Sequence, residues 1–261
     1  MEYILIILVA FGAALLTFVS GFGLGTILLP VFAIFFPVEI AIALTAVVHL
    51  LNNIFKTGLM YKHVDLKVFF LFAIPASIAA FIGASILLYL VKINLKIPYQ
   101  LFGMNLETSI INIIIAALLI CFAILEMNKN LTGVRLKAKW MSVGGFLSGF
   151  FGGLSGHQGA LRSMFLLKAG LSRDAFIATG IATAIFIDIS RLIVYGSSFL
   201  LNHIEVIQEN ALTILLIACG SAFLGSFLGR KLLKKVTLYK VQMIVASLIL
   251  VFAILLGIGL I

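Results

Sequence analysis

Long apolar stretches, separated by short polar segments, fill most of this chain and predict helices. The stretches cover 3–36, 40–60, 68–90, 109–127, 140–167, 175–199, 211–229 and 241–260. Six of them are close to the roughly 20 residues that a helix needs to cross a lipid bilayer. The pattern therefore predicts an all-α fold, that of a polytopic helical membrane protein.

Two of these stretches, the first and the fifth, are longer than one crossing requires. Glycines interrupt each near its middle, as "SGFGLG" at 20–25 and "GGLSGHQG" at 152–159. Glycine weakens a helix and lets the chain turn sharply. Each stretch is therefore either one long tilted helix or a re-entrant or broken hairpin that returns to the side from which it came.

The distribution of positive charge favours the hairpins. Of the 18 Lys and Arg residues, 13 lie in four segments, which are 61–67, 128–139, 168–174 and 230–240. Basic loops of membrane proteins stay in the cytoplasm. Since two of the basic segments flank the fifth stretch, we expect it to enter and leave on the cytoplasmic side. By the same reasoning the first stretch starts and ends outside, and both termini are predicted to lie outside.

Each half of the chain then consists of one hairpin followed by three spans. The N-terminal half is 1–127, the C-terminal half is 140–261, and 128–139 is a cytoplasmic linker. Because one half starts outside and the other inside, the halves are predicted to be inverted repeats, an arrangement typical of secondary transporters.

Polar positions support the repeat. The segment 37–56 of the first half aligns with 172–191 of the second without a gap. The alignment pairs Glu39 with Asp174, Asn53 with Asp188, and Lys56 with Arg191.

Apart from Glu126, near the end of its stretch, four charged residues lie within the apolar stretches: Lys56, Arg162, Arg191 and Asp188. A charge at the centre of a bilayer costs about 2.5–3.5 kcal/mol or more, so such residues face a cavity or a partner. Three cations against one carboxylate favour an anionic ligand. Two alternatives remain open: Lys56 could extend to the headgroups, and Arg191 could form a structural ion pair with Asp188, three residues before it.

The two glycine breaks would place helix N-termini inside the membrane, where free backbone N–H groups attract anions. Polar side chains at the breaks can assist. His157 and Asp188 are candidates for proton coupling, whereas His49 is expected to be a packing residue. The predicted substrate-binding residues are Gly23, Gly25, Thr26, Asn53, Lys56, His157, Gln158, Gly159, Arg162, Asp188 and Arg191.

Composition narrows the class of protein. The chain is 63% hydrophobic and 10% charged, and its net charge of +9 is better explained by cytoplasmic loops than by nucleic-acid binding. The sequence contains no metal-binding, nucleotide-binding or nucleophile–base motif. We therefore expect neither an enzyme nor a cofactor or metal site, and no nucleic-acid partner.

The glycine-rich segment "GFGLGTILLPVF" at 21–32, together with its glycine-rich counterpart in mid-chain, resembles the TauE/SafE family, the sulfite exporter or four-toluene-sulfonate uptake permeases. The matching positions are Gly21, Gly23, Gly25 and Pro30 in the first break and Gly153, Gly156 and Gly159 in the second. The resemblance implies a carrier of the inner cell membrane with two inverted halves. It would move sulfite, sulfoacetate or another sulfur-containing organic anion, driven by a gradient of protons or sodium ions.

The sequence-based interpretation is a secondary transporter that moves a small anion across the cytoplasmic membrane by alternating access. The alternatives are an anion channel and a non-transporting membrane scaffold or assembly factor. The partners expected are the small anionic substrate, the lipid bilayer and a coupling proton or sodium ion, and homodimerisation is left open.

Overall fold

The computed structural model describes residues 2–20, 23–93, 95–101, 103–127, 139–197, 209–232 and 238–261. Within these ranges the predicted helical membrane protein is confirmed. The α-helices are α1 (Glu2–Ser20), α2 (Leu24–Ala33), α3 (Val38–Met60), α4 (Leu66–Ile93), α5 (Ile110–Met127), α6 (Lys139–Ser155), α7 (Gly159–Leu167), α8 (Arg173–Tyr195), α9 (Glu209–Leu232) and α10 (Leu238–Gly257). Five of them, α3, α4, α5, α8 and α9, contain segments long and apolar enough to cross a membrane.

Both long apolar stretches are broken at their glycines. Gly23 precedes α2 with φ +108°, and Gly156, between α6 and α7, has φ +79°. Residues with a Cβ rarely adopt such left-handed conformations, so glycine allows each helix to stop and a new one to start. We call these breaks the first tip (23–26) and the second tip (156–159).

Helices α6 and α7 form a hairpin. The Ser148 hydroxyl donates to the carbonyl oxygen of Gln158 at 2.9 Å, and Gly144 lies against the ring of Phe165. The beginning of α6 therefore lies beside the end of α7. A hydrogen bond from Ser142 to the Leu71 carbonyl oxygen, at 3.2 Å, places this end of the hairpin next to the first turns of α4.

Two of the basic segments, 61–67 and 168–174, lie close to each other. The backbone N–H of Asp65, in the loop before α4, donates to the hydroxyl of Thr179 in α8 at 2.9 Å. The segment 61–67 is thus near the start of α8, which follows 168–174. The predicted linker 128–139 lies outside the described residues apart from Lys139, and the side of the membrane on which each terminus lies stays a prediction.

The connection between α4 and α5 contains a β-hairpin. Strands β1 (Lys96–Leu101) and β2 (Met104–Ser109) pair antiparallel, with Tyr99 opposite Leu106. Tyr99 and Thr108 donate hydrogen bonds to the carbonyl oxygens of Ile258 and Gly257, at 2.6 and 3.1 Å. The hairpin thereby covers the C-terminal end of α10.

A glycine seam joins α6 to α4. Gly145, Gly149 and Gly153 follow one another at one-turn intervals on α6. Each lies against a carbonyl oxygen of α4, in order those of Phe72, Ala76 and Ala80. Small residues let two helix backbones approach closely, which is a main source of helix association in lipid.

Helices α9 and α1 pack in a related way, with Gly225 and Gly229 against the carbonyl oxygens of Phe11 and Leu15.

Large apolar side chains point outward from the bundle, as expected for a surface in contact with lipid. Examples are Ile74, Ile78, Leu216, Leu224 and Val251.

Candidate functional site

A cluster of polar side chains lies buried where α3 and α8 pack against the two tips. Its members come from distant parts of the sequence, and none is more than 6% exposed. They are His49, Asn52, Asn53, Lys56, His157, Gln158, Arg162, Asp188 and Arg191. We call this set the polar cluster.

Asp188 is the anion of the polar cluster and is fully buried. Its Oδ1 accepts hydrogen bonds from Gln158 at 2.8 Å and from Nε and Nη2 of Arg191 at 3.0 and 2.7 Å. Its Oδ2 lies 2.6 Å from Nδ1 of His49. A buried charge is tolerated when it is paired and hydrogen-bonded in this way. The structural ion pair between Asp188 and Arg191, which the sequence left open as an alternative role for Arg191, is therefore present.

His49 connects the two halves of the chain, because it lies on α3 and its partner Asp188 lies on α8. A carboxylate can only accept, so Nδ1 of His49 carries the shared proton of this contact. Nε2 is then free to accept from the Asn53 amide, whose nitrogen lies 3.3 Å away. His49 was expected to pack without a site role, and its position in this network was missed.

Arg162 enters the polar cluster from the second tip. It lies on α7, is 1% exposed, and donates from Nη1 to Oε1 of Gln158 at 2.8 Å. Gln158 thus donates to Asp188 with its nitrogen and accepts from Arg162 with its oxygen. The sequence predicted that Gln158, Arg162, Asp188 and Arg191 belong to one site, and the structure brings them together.

Lys56 is buried at 3% exposure, so its ammonium group does not extend to the headgroups. The Asn52 amide, oriented with its nitrogen towards the Ser226 hydroxyl and the Ala222 carbonyl oxygen, presents its oxygen to Nζ of Lys56 at 3.3 Å. The ammonium group also lies 5.6 Å from the centre of the Phe18 ring. Asn52 and Ser226 were not predicted as site residues, because neither lies at a glycine break or is one of the aligned polar positions of the two halves.

The first tip contributes mainly backbone atoms, and few side chains, to the candidate site. A Cβ added at Gly25 would lie 3.5 Å from Thr45 Cγ2 and 3.6 Å from His49 Cδ2, so the tip lies directly on α3 beside the polar cluster. Thr26 follows at 6% exposure. Among the residues matched to the family, Gly21 lies outside the described part of the chain.

The second tip packs on α8 in the same manner. A Cβ added at Gly156 would lie 3.3 Å from Nη1 of Arg191. Gly159 is buried and begins α7. His157, between them, is 4% exposed and has Nδ1 3.1 Å from the carbonyl oxygen of Ser155. Tyr195 of α8 donates to the carbonyl oxygen of Gly153, which fixes the last turn of α6.

Positive charge exceeds negative charge in this buried region. Among the described residues, the buried lysine, arginine, aspartate and glutamate side chains are Lys56, Arg162, Arg191 and Asp188. The positive charges of Lys56 and Arg162 repel each other. An anion placed near them would remove this repulsion, so the arrangement can bind one. No group of three or more His, Cys, Asp or Glu residues that could hold a metal ion forms in the described ranges.

One of the comparisons with known proteins identifies the family. No curated protein and no solved structure matches the chain. The family model described as sulfite exporter TauE/SafE matches residues 6–256, nearly the whole of the 261-residue chain. Together with the membrane-type helices, this match shows that the chain belongs to the TauE/SafE family of sulfite exporter-type membrane transporters.

Proposed function

We propose that the protein is a secondary transporter that moves a small sulfur-containing anion, such as sulfite or sulfoacetate, across the cytoplasmic membrane by alternating access. The observation that carries the proposal is the excess of buried positive charge beside the two tips. Burying charge within a membrane is costly, and a cluster with more cations than anions is stabilised when an anion enters.

The three cations have different roles in this proposal. Arg191 donates twice to Asp188, so its charge is largely neutralised. The ammonium group of Lys56 faces the neutral amide of Asn52. Arg162 donates to the neutral amide of Gln158. Lys56 therefore provides charge that attracts the anion, and Arg162 adds a second positive charge at the second tip. Asp188 and Arg191 hold the scaffold around the site.

The tips would complete the binding site. Helices α2 and α7 both begin beside the polar cluster, and the first backbone N–H groups of a helix have no partner within it. These donors and the positive end of the helix dipole favour an oxyanion or a sulfonate. Gly23, Gly25 and Gly159 let the ligand approach the backbone, and the Thr26 hydroxyl adds a donor.

Alternating access is supported by the correspondence between the halves. The offset along the chain between the starts of α3 and α8 equals the offset between their ends, and α2 and α7 start with that same offset. The contact between α4 and α6 has a counterpart in that between α9 and α1. Two related halves around one central site can rock against each other, exposing the site to either side in turn.

The test is transport by the purified protein in liposomes. Uptake of labelled sulfite and sulfoacetate should be saturable and should exceed that of a panel of cations, and a proton or sodium gradient should drive it. Arg162→Gln should reduce transport at low anion concentration at least tenfold, since it removes a cation from the site. Arg173→Gln, which removes the same charge from an exposed position at the start of α8, should have no comparable effect.

Three outcomes would contradict the proposal. Transport of cations with no response to any anion would exclude an anion carrier. Conductance far above the turnover of a carrier would favour a channel. A stable, correctly folded protein that transports none of these solutes, with or without Arg162, would favour a scaffold.

A further inference from the structure

The tautomer of His157 follows from its surroundings. Nδ1 lies 3.1 Å from the carbonyl oxygen of Ser155, and a carbonyl oxygen can only accept a hydrogen bond. Nδ1 therefore carries a proton. In the neutral imidazole the other nitrogen, Nε2, then presents a bare lone pair.

This lone pair is buried and has no hydrogen-bond partner among the described residues. The imidazole is 4% exposed and stacks on Phe122 of α5, with ring centres 6.3 Å apart and planes within 6°. Buried polar atoms nearly always find a partner, and one that does not calls for an explanation. A proton on this nitrogen turns the acceptor into an N–H donor, and a bound anion could then accept its hydrogen bond.

Asp188 and His49, two other titratable groups of the polar cluster, are already engaged in hydrogen bonds. Asp188 accepts from His49, Gln158 and Arg191, so a proton on its carboxylate would displace a donor. His49 uses one ring nitrogen towards Asp188, and the other is within reach of Asn53. His157 is therefore better suited than Asp188 to take up a proton.

The charged neighbours of His157 couple the binding of this proton to the binding of the anion. Burial itself disfavours a proton on His157, and from α8 the positive charge of Arg191 opposes it further. From α5, the face that carries Phe122 also carries Glu126 one turn further on, and a buried oxygen of this carboxyl has no hydrogen-bond partner among the described residues. From α6, the contact is the neutral Ser155 carbonyl. An anion bound beside Arg191 would offset the repulsion, so each ligand strengthens binding of the other.

We propose that Nε2 of His157 binds one proton together with the anion, so that the protein carries both in the same direction. The proposal rests on the anion transport proposed above. The lone pair of Nε2 forms the new N–H bond with a proton of hydronium on the loading side, whose O–H bond breaks to leave water. On the opposite side this N–H bond breaks, and the proton forms an O–H bond with water to give hydronium.

Sulfoacetate is the suitable probe, because both of its acid groups are ionised at neutral pH and it releases no proton of its own. Purified full-length protein in weakly buffered detergent solution should take up about one proton per sulfoacetate bound. His157→Gln retains a hydrogen-bonding side chain that cannot be protonated, and it should abolish this uptake. In liposomes it should lower uptake driven by a pH gradient, relative to exchange of sulfoacetate for sulfoacetate, by on the order of tenfold.

His63→Gln is the matched control, because His63 is exposed in the loop before α4. Proton uptake by that variant should equal the wild-type value. Sulfoacetate binding by the wild type without proton uptake at any pH between 5 and 8 overturns the proposal and needs no variant. Undiminished proton uptake in a folded His157→Gln protein also overturns it. Absence of any anion transport would overturn the proposed function together with this proposal.

Discussion

Helices α3 and α8 carry matching polar positions with different chemistry. In the ungapped alignment of the two helices, Asn53 and Lys56 of α3 correspond to Asp188 and Arg191 of α8. On α8 the two residues are an ion pair, with Arg191 Nη2 2.7 Å from Asp188 Oδ1. On α3 the position of the carboxylate is taken by an amide, and that amide is next to His49.

Under the proposed function, this difference gives the two helices different purposes. A cation with its own carboxylate stabilises the scaffold, and it attracts an anionic ligand only weakly. A cation whose neighbouring position is neutral keeps its field available to a ligand. Lys56, and not Arg191, is therefore the repeat-related cation expected to bind the substrate.

The largest effect is expected from Asp188→Asn, which makes α8 chemically similar to α3. The change leaves the buried Arg191 without its counterion, and breaking a buried pair in this way costs about 3–5 kcal/mol. The melting temperature in detergent should fall by on the order of 10 °C.

Asp174→Asn is the control for this change, since it removes a carboxylate from the exposed first turn of α8. There the loss is limited to about 1 kcal/mol of helix-dipole interaction. Equal melting temperatures for the two variants would show that Asp188 is not the counterion that stabilises the polar cluster.

The converse change, Asn53→Asp, gives Lys56 a carboxylate on its own helix face and makes α3 similar to α8. The new negative charge should repel the substrate and neutralise Lys56. We expect the KM for sulfoacetate to rise on the order of 100-fold, which corresponds to about 2.7 kcal/mol. Transport measured over a range of sulfoacetate concentrations in liposomes checks this.

Asn53→Gln is the control for the new charge, because it keeps the amide. An Asn53→Asp protein with the affinity of the wild type would mean that Lys56 does not contact the anion. Comparable losses in both variants would assign the effect to the shape of the side chain.

The smallest of the three effects is expected at the first tip, which packs on α3. Gly23→Ala forces an L residue to adopt φ +108° and puts a Cβ 3.0 Å from Thr17 Cγ2. The left-handed conformation alone costs about 1–2 kcal/mol. Thermal unfolding in detergent should show this loss of stability.

Gly58→Ala, in the same half of the chain, is expected to change the stability in the opposite direction. Gly58 is exposed within α3, and an added Cβ meets nothing within 4 Å. Alanine is the better helix former by about 1 kcal/mol, so this variant should be at least as stable as the wild type. If Gly23→Ala were equally stable, the first tip would not depend on the left-handed backbone.

The helices and the tips could be predicted because their signals are local. Apolar runs, glycine breaks and charged residues within apolar segments can each be recognised from a few consecutive residues. Arg162, Gln158 and Asp188 were identified in this way and do meet. The β-hairpin also has a local signal, which is an alternation of Ile97, Tyr99 and Leu101 before a turn at Gly103. The sequence-based interpretation did not include this hairpin.

The contacts between the halves could not be predicted, since they depend on how the helices pack. His49 and Asp188 are 139 positions apart, and nothing near His49 indicates a carboxylate partner. Lys56 lies near the end of α3, where a long side chain can often reach the headgroups. Its burial beside Asn52, whose amide contacts Ser226 of α9, depends on how α9 packs.

The glycine seam between α6 and α4 has a consequence for which substitutions the protein tolerates. A methyl group at Gly149 or Gly153 would meet a backbone oxygen that no side-chain rotation can move away. Leucines and isoleucines on the outer surface face fluid lipid, so exchange for other apolar residues changes little there. In a library of all single variants, the smallest residues of this membrane protein should therefore be among the least replaceable, and many of its largest among the most.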